Sequence, residues 1–207
     1  MDLALTMDKI AGDAVHAIFG APLDQSNHAS LAVQCALNMD VSADELRARK
    51  LSEGVELGVT RIGVHSGTAI VGNFGGEGYF DYTAHGDEVN TAARLEGANK
   101  HWGTRLFVSG DAKALMPGFV GRPVGSVVLP GKTEAINLFE PLSAELAESK
   151  ATREYMVASE KLESCEPLAS QAFAAYVAVH GEDPLATFHL KRLLSGQTGV
   201  RIVLMHK

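Results

Sequence analysis

The amino-acid sequence predicts an α+β sandwich followed by a mainly helical C-terminal extension. Short apolar runs bounded by Gly and Pro alternate with amphipathic helical patterns up to about residue 142. From residue 143 onward helical patterns predominate, so we divide the chain into residues 1–142 and residues 143–207. Mixed strands and helices in this order favour a sheet with helices packed on one face.

The elements of the first unit follow from local signals. Residues 14–19 are apolar and end at a Gly-Ala-Pro sequence, which predicts a strand. Residues 25–30 contain capping side chains, and the apolar spacing that follows predicts an amphipathic helix continuing toward residue 49. The remaining predictions are a short helix at 111–115 and strands at 59–65, 68–73, 105–109, 124–129 and 135–139.

The extension contains three helical patterns and one strand pattern. We predict helices at residues 145–162, 168–179 and 184–194 and a terminal strand at 201–205. No catalytic motif is recognisable in this part of the sequence. Its aromatic side chains are expected to pack in a core, because such residues at helical spacing usually do; they are Tyr155, Phe173, Tyr176 and Phe188.

Charge and hydropathy argue against several classes of protein. The formal net charge of −7 disfavours a nucleic-acid partner or an anionic membrane surface. No apolar run has the length of a signal peptide or of a transmembrane helix, so we expect no membrane segment and a cytoplasmic location. Cys35 and Cys165 lie far apart in helical patterns, which predicts two buried thiols and no disulfide or metal framework.

The segment FDYTAHGDEVNTAAR, which ends at Arg94, is the most informative about function. It predicts a short strand, a glycine turn and a helix on which Asn90 and Arg94 share one face. An amide at such a position can orient a hydroxyl group, and a guanidinium can hold phosphate oxygens. We expect Val89, Ala92 and Ala93 to form the apolar face that buries this helix.

Two further segments accompany this one. DKIAGDAVHAIFGAP contains Lys9 and Asp13, and RIGVHSGTAIVGNFG begins at Arg61. In this order, the three segments resemble the catalytic domain of class III nucleotidyl cyclases, of the bacterial adenylate cyclase type, from about residue 9 to about residue 141. The resemblance implies a ferredoxin-like nucleotidyl cyclase core that works as a head-to-tail dimer. It also implies a lyase that converts ATP into 3′,5′-cyclic AMP and pyrophosphate in intracellular signalling.

The resemblance assigns substrate-binding roles to single residues. Asn90 and Arg94 match the asparagine that orients the ribose and the arginine that stabilises the transition state. Lys9 and Thr83 match the two positions that read the base, in the combination typical of adenine selectivity. A lysine donor suits an adenine ring nitrogen, and a threonine oxygen can accept from the exocyclic amine.

Further roles concern the metal ions and the triphosphate. Asp13 matches the second of the two metal-binding aspartates of the family, which implies Mg²⁺ or Mn²⁺ as cofactor. Phe19 and Gly20 match positions that approach the triphosphate. The lysine that many members use for the triphosphate is replaced here by Pro130, and Lys132, two positions on, is a weaker stand-in.

The larger departure from the family pattern concerns the first metal aspartate. In the family it lies on a strand well before the Gly-Asp pair, whereas twelve residues precede Asp13 here. Asp2 and Asp8 are too close to Asp13 in sequence to replace it. We interpret this as an N-terminal truncation. It predicts an altered dimer, in which the chain closes the gap, exchanges a strand with a partner or uses residues 201–205.

Two functions are left open by the sequence. The chain is an adenylate cyclase that forms its site as a homodimer, or as a heterodimer with another cyclase chain that supplies metal ligands. Alternatively, it is a non-catalytic module for nucleotide binding, dimerisation or regulation. We expect the isolated chain to make little or no cyclic AMP. The histidines without metal-ligand spacing are expected to be structural; they are His16, His28, His65 and His85.

Overall fold

The structure is a computed structural model that describes residues 5–181 and 183–204. The strands are β1 (Thr6–Ala11), β2 (Ala14–Ile18), β3 (Ile62–Val64), β4 (Ile70–Gly76), β5 (Tyr79–His85), β6 (Leu106–Ser109), β7 (Gly121–Val128), β8 (Ala135–Pro141) and β9 (Arg201–Val203). The helices are α1 (His28–Ser52), α2 (Asp87–Trp102), α3 (Gly110–Ala114), α4 (Ala144–Ala147), α5 (Lys150–Glu163), α6 (Ala169–His180) and α7 (Pro184–Leu194). The predicted α+β class is confirmed.

The strands form one five-stranded sheet and two separate hairpins. The sheet has the order β3-β6-β8-β7-β9; its outer pairs β3–β6 and β7–β9 are parallel and its inner pairs are antiparallel. β1 pairs with β2 and β4 pairs with β5, each as an antiparallel hairpin. Within the described residues, no strand pairing joins either hairpin to the five-stranded sheet. The hairpins carry Lys9, Asp13 and Thr83, so their position determines part of the predicted site.

Helices cover both faces of the five-stranded sheet. Successive residues of a strand point to opposite faces. In β6, Leu106 and Val108 belong to the hydrophobic cluster that includes α1, whereas Phe107 between them belongs to the cluster that includes α2 and the extension. The prediction that the helices lie on one face is therefore wrong, since α1 and α2 lie on opposite sides.

The C-terminal extension contributes half of the largest hydrophobic core. Buried side chains of α2, β6, β7 and β8 form one cluster with those of α5, α6, α7 and β9. Tyr155, Phe173 and Tyr176 are buried in this cluster and Phe188 packs against it, so their predicted packing role is confirmed. β9 also extends the sheet by pairing with β7. The extension therefore supports the same sheet face as α2.

A group of partly buried charges links the extension to the sheet. Arg122 on β7 pairs with Glu140 on β8, with Nε 2.7 Å from Oε2, and with Asp183, the N-cap of α7. The Tyr176 hydroxyl donates a hydrogen bond of 2.8 Å to Asp183. Burial raises the pKa of Asp183, but the hydrogen bond and ion pair with Arg122 outweigh this effect and leave the pKa lowered. Asp183 is thus an ionised partner for both α7 and Arg122.

Several predicted boundaries differ from the structure. The helix predicted at 145–162 is two helices, because the Ser149 Oγ accepts from the Thr152 N–H and begins α5. The strand predicted at 59–65 is shorter in the structure, where β3 covers Ile62–Val64, and β1 was not predicted.

Cys35 is buried as expected, but Cys165 is exposed in the loop after α5, so that prediction is wrong. β9 confirms the terminal strand as far as Val203, while residue 205 lies outside the described residues.

Across residues 5–181 and 183–204, no helix combines the length and the apolar character needed to cross a membrane.

Replacing Asp183 tests the junction between sheet and extension. Asp183→Ala leaves the buried Arg122 with a single carboxylate partner and removes the N-cap of α7. We expect a loss of unfolding free energy on the order of 3–5 kcal/mol, measured by urea denaturation. Asp44→Ala is the control, since it removes a more exposed ion pair with Arg105 and should cost less than about 1 kcal/mol. Equal losses would contradict a junction role.

The burial of His189 leads us to expect a specific pH dependence of the free energy of unfolding. Burial, together with the nearby positive charge of Arg192, lowers the pKa of His189 from 6.5 to about 3. This contribution to stability is complete above pH 6.5 and is lost as the pH falls, because the unfolded chain then binds a proton that the folded chain rejects. We expect a slope of up to about 1.4 kcal/mol per pH unit between pH 6.5 and about 4. Urea titrations of His189→Gln should lack this slope; an unchanged slope would contradict the assignment.

Candidate active site

The structure brings together Lys9 and Thr83, the residues predicted to read the base. Lys9 lies on β1 and Thr83 on β5, in different hairpins and 74 positions apart in sequence. The Lys9 Nζ lies 3.5 Å from the Thr83 Oγ1, a long hydrogen bond. Thr83 is buried, whereas 40% of the Lys9 side chain is exposed. The pair therefore offers a cationic donor and a hydroxyl group near the protein surface.

Asp8 lies directly beside this pair. Its side chain is only 1% exposed, and its Oδ2 lies 3.8 Å from the Lys9 Nζ and 4.0 Å from the His16 Nδ1. Its other oxygen, Oδ1, has no hydrogen-bond partner in the described part of the chain. From the sequence, Asp8 was rejected as a replacement for the first metal aspartate, and its contact with Lys9 was not predicted. The available signal was an acid adjacent in sequence to the lysine that is predicted to read the base.

Helix α2 positions the two predicted catalytic residues. It follows β5 after a single residue, Gly86, so the strand that carries Thr83 leads directly into the helix. Asn90 is exposed in the first turn and Arg94 is half-buried one turn later. Within residues 5–181 and 183–204, Arg94 has no recorded hydrogen bond or ion pair, although its charge helps to lower the pKa of Asp87. Asn90 and Arg94 thus share one helical side, as predicted.

The buried face of α2 differs from the predicted one. Val89 and Ala92 are half-buried and Ala93 is exposed. The buried residues are instead Thr91, Leu95, Ala98, Asn99 and Trp102. The expectation for Ala93 is wrong because the core residues Leu95, Ala98 and Trp102 repeat every three to four positions, and Ala93 falls on the opposite side of the helix.

Two side chains fix the first turn of α2. Lys132, in the loop between β7 and β8, donates to Asp87, and this hydrogen bond is the main cause that lowers the pKa of Asp87. His65, the residue after β3, has its Nε2 2.5 Å from the Glu88 Oε2 and its Nδ1 2.8 Å from the Ser109 Oγ. Both ring nitrogens are therefore engaged. The imidazole joins β3, β6 and α2, which agrees with the structural role expected for His65.

The other predicted histidines also have structural contacts. The His28 ring nitrogens lie 3.0 Å from the Gln25 carbonyl oxygen and 3.2 Å from the Ser66 Oγ. The ring of His85 contacts that of Phe74, with centroids 4.2 Å apart. These contacts hold the loop before α1 and the second hairpin in place.

The predicted metal ligand, Asp13, belongs to no metal-binding cluster in the described part of the chain. Asp13 is exposed in the turn between β1 and β2, after Gly12 at a φ of 66°. Among the described residues, no three His, Cys, Asp or Glu side chains lie where they could hold a metal ion. Divalent Mg²⁺ and Mn²⁺ need about six oxygen ligands, several of them from carboxylates or phosphates. The described residues therefore do not fit a metal ion by themselves, and Asp2 lies outside them.

The residues predicted to approach the triphosphate lie on two loops. Phe19 and Gly20 follow β2, and the Gly20 N–H donates a 2.9 Å hydrogen bond to the Gln25 Oε1. Lys132 is 18% exposed and pairs with Asp87, and Pro130 precedes it in the same loop. Contact of these residues with a triphosphate stays a prediction.

Comparison with known proteins identifies the class of this domain. Residues 6–139 match the family described as the adenylate and guanylate cyclase catalytic domain, and the chain belongs to this family. Domains of the family bind a nucleotide, use divalent metal ions and dimerise. The predicted membership is confirmed.

Particular relatives agree with this assignment. The chain is 37% identical over 136 residues to adenylate cyclase 1 of Rhizobium meliloti, covering 65% of this chain and 20% of that protein. It is 33% identical over 139 residues to an adenylate cyclase of Anabaena cylindrica, covering 65% of this chain and 27% of that protein. The chain thus spans about a fifth to a quarter of the length of these relatives.

Solved structures confirm the cyclase-type fold. The adenylyl cyclase CyaB from P. aeruginosa superposes with a TM-score of 0.62 at 28% identity, covering 69% of this chain and 74% of that chain. The guanylyl cyclase Cya2 gives a TM-score of 0.54 at 25% identity, covering 69% and 73%. Because both adenylyl and guanylyl cyclases match, the fold does not decide the base.

Glu88 tests how α2 is fixed. Glu88→Ala removes the acceptor of the His65 imidazole, whose side chain is 4% exposed, so we expect a loss on the order of 1.5–3 kcal/mol in urea unfolding. Glu88→Gln keeps an acceptor oxygen and should lose less. Lys100→Ala, at an exposed position of the same helix, should change stability by no more than about 0.5 kcal/mol. If Glu88→Ala loses as little stability as that control, the His65–Glu88 contact does not fix the first turn of α2.

Proposed function

We propose that this chain is an adenylate cyclase domain that binds ATP and contributes to its conversion into 3′,5′-cyclic AMP and pyrophosphate. The observation that carries the proposal is the contact of 3.5 Å between Lys9 and Thr83, brought together from two hairpins. The strand of the second hairpin continues into the helix of Asn90 and Arg94. Family membership supports the class of reaction, and the relatives named adenylate cyclase support adenine as the base.

The side chains at the base-reading positions match adenine. Adenine presents a ring-nitrogen acceptor beside an amino-group donor on its pairing edge, whereas guanine presents an N–H donor beside a carbonyl acceptor. The ammonium group of Lys9 only donates, and the hydroxyl group of Thr83 can accept. Lys9 therefore suits the ring nitrogen of adenine and Thr83 suits the amino group. On guanine, the same arrangement would set the ammonium group against an N–H donor.

Helix α2 supplies the residues that act on the ribose and the phosphates. In the proposed reaction the ribose 3′-hydroxyl oxygen bonds to the α-phosphorus, and the bond from this phosphorus to pyrophosphate breaks. The exposed amide of Asn90 orients the ribose for this attack. The guanidinium of Arg94 stabilises the negative charge that develops on the phosphate oxygens. Their spacing of one helical turn suits adjacent parts of one nucleotide.

A second chain completes this proposed site. The described residues place one exposed carboxylate, Asp13, near the hairpin turn and gather no metal-binding cluster. We infer that the carboxylates for Mg²⁺ or Mn²⁺ are completed in a dimer, with a second copy or with another cyclase chain. Because ATP is an intracellular nucleotide, the activity places the domain in the cytoplasm. The lack of a donor cluster also favours a second candidate, a nucleotide-binding module without turnover.

Nucleotide binding and complementation together test the proposal. Calorimetric titration should show at least about tenfold tighter binding of ATP than of GTP, equivalent to roughly 1.4 kcal/mol. The double variant Lys9→Glu/Thr83→Cys should lose this preference, while Lys100→Ala should keep it. Equal affinity of the wild-type chain for the two nucleotides would contradict adenine recognition.

The catalytic part is measured as cyclic AMP formation from ATP with Mn²⁺. We expect little product from the chain alone. Mixing it with a cyclase domain that keeps both metal aspartates, but has alanine at its own asparagine and arginine positions, should raise the rate. Arg94→Ala should abolish that gain. Rapid turnover by the isolated chain that depends on Arg94 would overturn the need for a second chain. ATP binding without product in any mixture would favour the non-catalytic module.

A further inference from the structure

We propose that Asp8 is a positioning residue that sets base selectivity by holding the ammonium group of Lys9 at Thr83. The inference rests on the proposed adenine-reading role of Lys9 and Thr83. Asp8 does not need to touch the nucleotide, since its carboxylate lies beneath the surface on which Lys9 is exposed.

The burial of Asp8 is the first argument. A carboxylate removed from water is strongly disfavoured unless hydrogen bonds or opposite charges compensate it. In the described part of the chain, Oδ1 has no hydrogen-bond partner, and Oδ2 has only the contacts of 3.8 Å with Lys9 and 4.0 Å with His16. The charge of Lys9 is therefore the main compensation for the buried carboxylate. Attraction between the two groups limits the positions that the lysine adopts.

The backbone explains how adjacent residues come to interact. Consecutive side chains of a regular strand point to opposite faces. In the first hairpin, Met7 lies opposite Ala17 and Lys9 lies opposite His16, so Asp8 is an extra residue in a β-bulge. A bulge bends the strand and re-aims side chains, and such irregularities are frequent beside active sites. This one leaves the carboxylate of Asp8 and the ammonium group of Lys9 within 4 Å of each other.

The consequence for selectivity follows from the flexibility of lysine. The ammonium group ends a four-carbon stem and loses much conformational freedom when it binds a base. Held by Asp8 at 3.5 Å from Thr83, it is preorganised for a ring-nitrogen acceptor next to an amino group. Without Asp8, the same lysine can swing to the carbonyl oxygen of guanine. Asp8 thus favours ATP by restricting the positions of Lys9, and it makes no attractive contact with the base itself.

Asp8→Asn is the critical variant, because it keeps the size of the side chain and removes its charge. Calorimetric titration should show that the ratio of ATP affinity to GTP affinity falls by about tenfold. Asp40→Asn is the matched control, as it neutralises another acid whose side chain is only 20% exposed; Asp40 lies on α1, pairs with Arg105, and its replacement should keep the wild-type ratio. If Asp8→Asn keeps the full preference for ATP, this inference is wrong while the proposed function stands. If the wild-type chain shows no preference or no binding, both are wrong.

A second measurement tests the coupling without a nucleotide. The melting temperatures of Asp8→Asn, Lys9→Met and the double variant form a cycle. We expect Lys9→Met to lower the melting temperature in the wild-type background, since it leaves the buried carboxylate without its cation. After Asp8→Asn, the same change should have little effect. Additive shifts would show that Asp8 does not hold Lys9, and would overturn the inference whatever the nucleotide data show.

Discussion

The close packing of α2 on β3 is the constraint on which the rest of the site depends. A Cβ atom at Gly63 would lie 2.4 Å from the Ala92 carbonyl oxygen and 2.5 Å from the Glu96 nitrogen, so a larger residue would push the helix away from the sheet. With α2 at this distance, His65 at the end of β3 reaches Glu88. This contact fixes the first turn of the helix, and it thereby also fixes the orientation of Asn90 and Arg94 on α2.

The extension is the other support of this helix. Trp102, near the end of α2, contacts Phe188 of α7, with ring centroids 4.9 Å apart, and both belong to the core that α5 and α6 complete. The Arg122–Asp183 pair ties α7 to the sheet beside this contact. The helix of the proposed catalytic residues is thus held between β3 and the extension. The C-terminal segment therefore contributes to the geometry of the site although it contains no predicted site residue.

Local signals explain which elements the sequence could predict. Helix α7 has the predicted range, because its start is encoded by two neighbouring residues, the N-cap Asp183 and Pro184 in the first turn. The strand, glycine and helix around Gly86 were likewise predicted from local pattern. Cys165 is exposed because α5 ends before it, at Glu163. The short length of β3 and the bulge at Asp8, by contrast, depend on partners distant in sequence. The same applies to the buried face of α2, which is selected by the core that the extension completes.

The candidate site likewise has features that could be predicted from the sequence and features that depend on distant contacts. A family resemblance assigned Lys9 and Thr83, but only the folded chain shows their contact and the buried acid beside it. The proposed base-reading pair depends on the packing of two hairpins that, in the described residues, share no strand pairing with the main sheet. The residues proposed to act on the ribose and the phosphates, Asn90 and Arg94, depend instead on α2, which is fixed to that sheet. The two proposed parts of the site therefore rest on separate supports, joined covalently by Gly86. On this proposal, substitutions in the hairpins alter base selectivity while leaving the orientation of Arg94 unchanged.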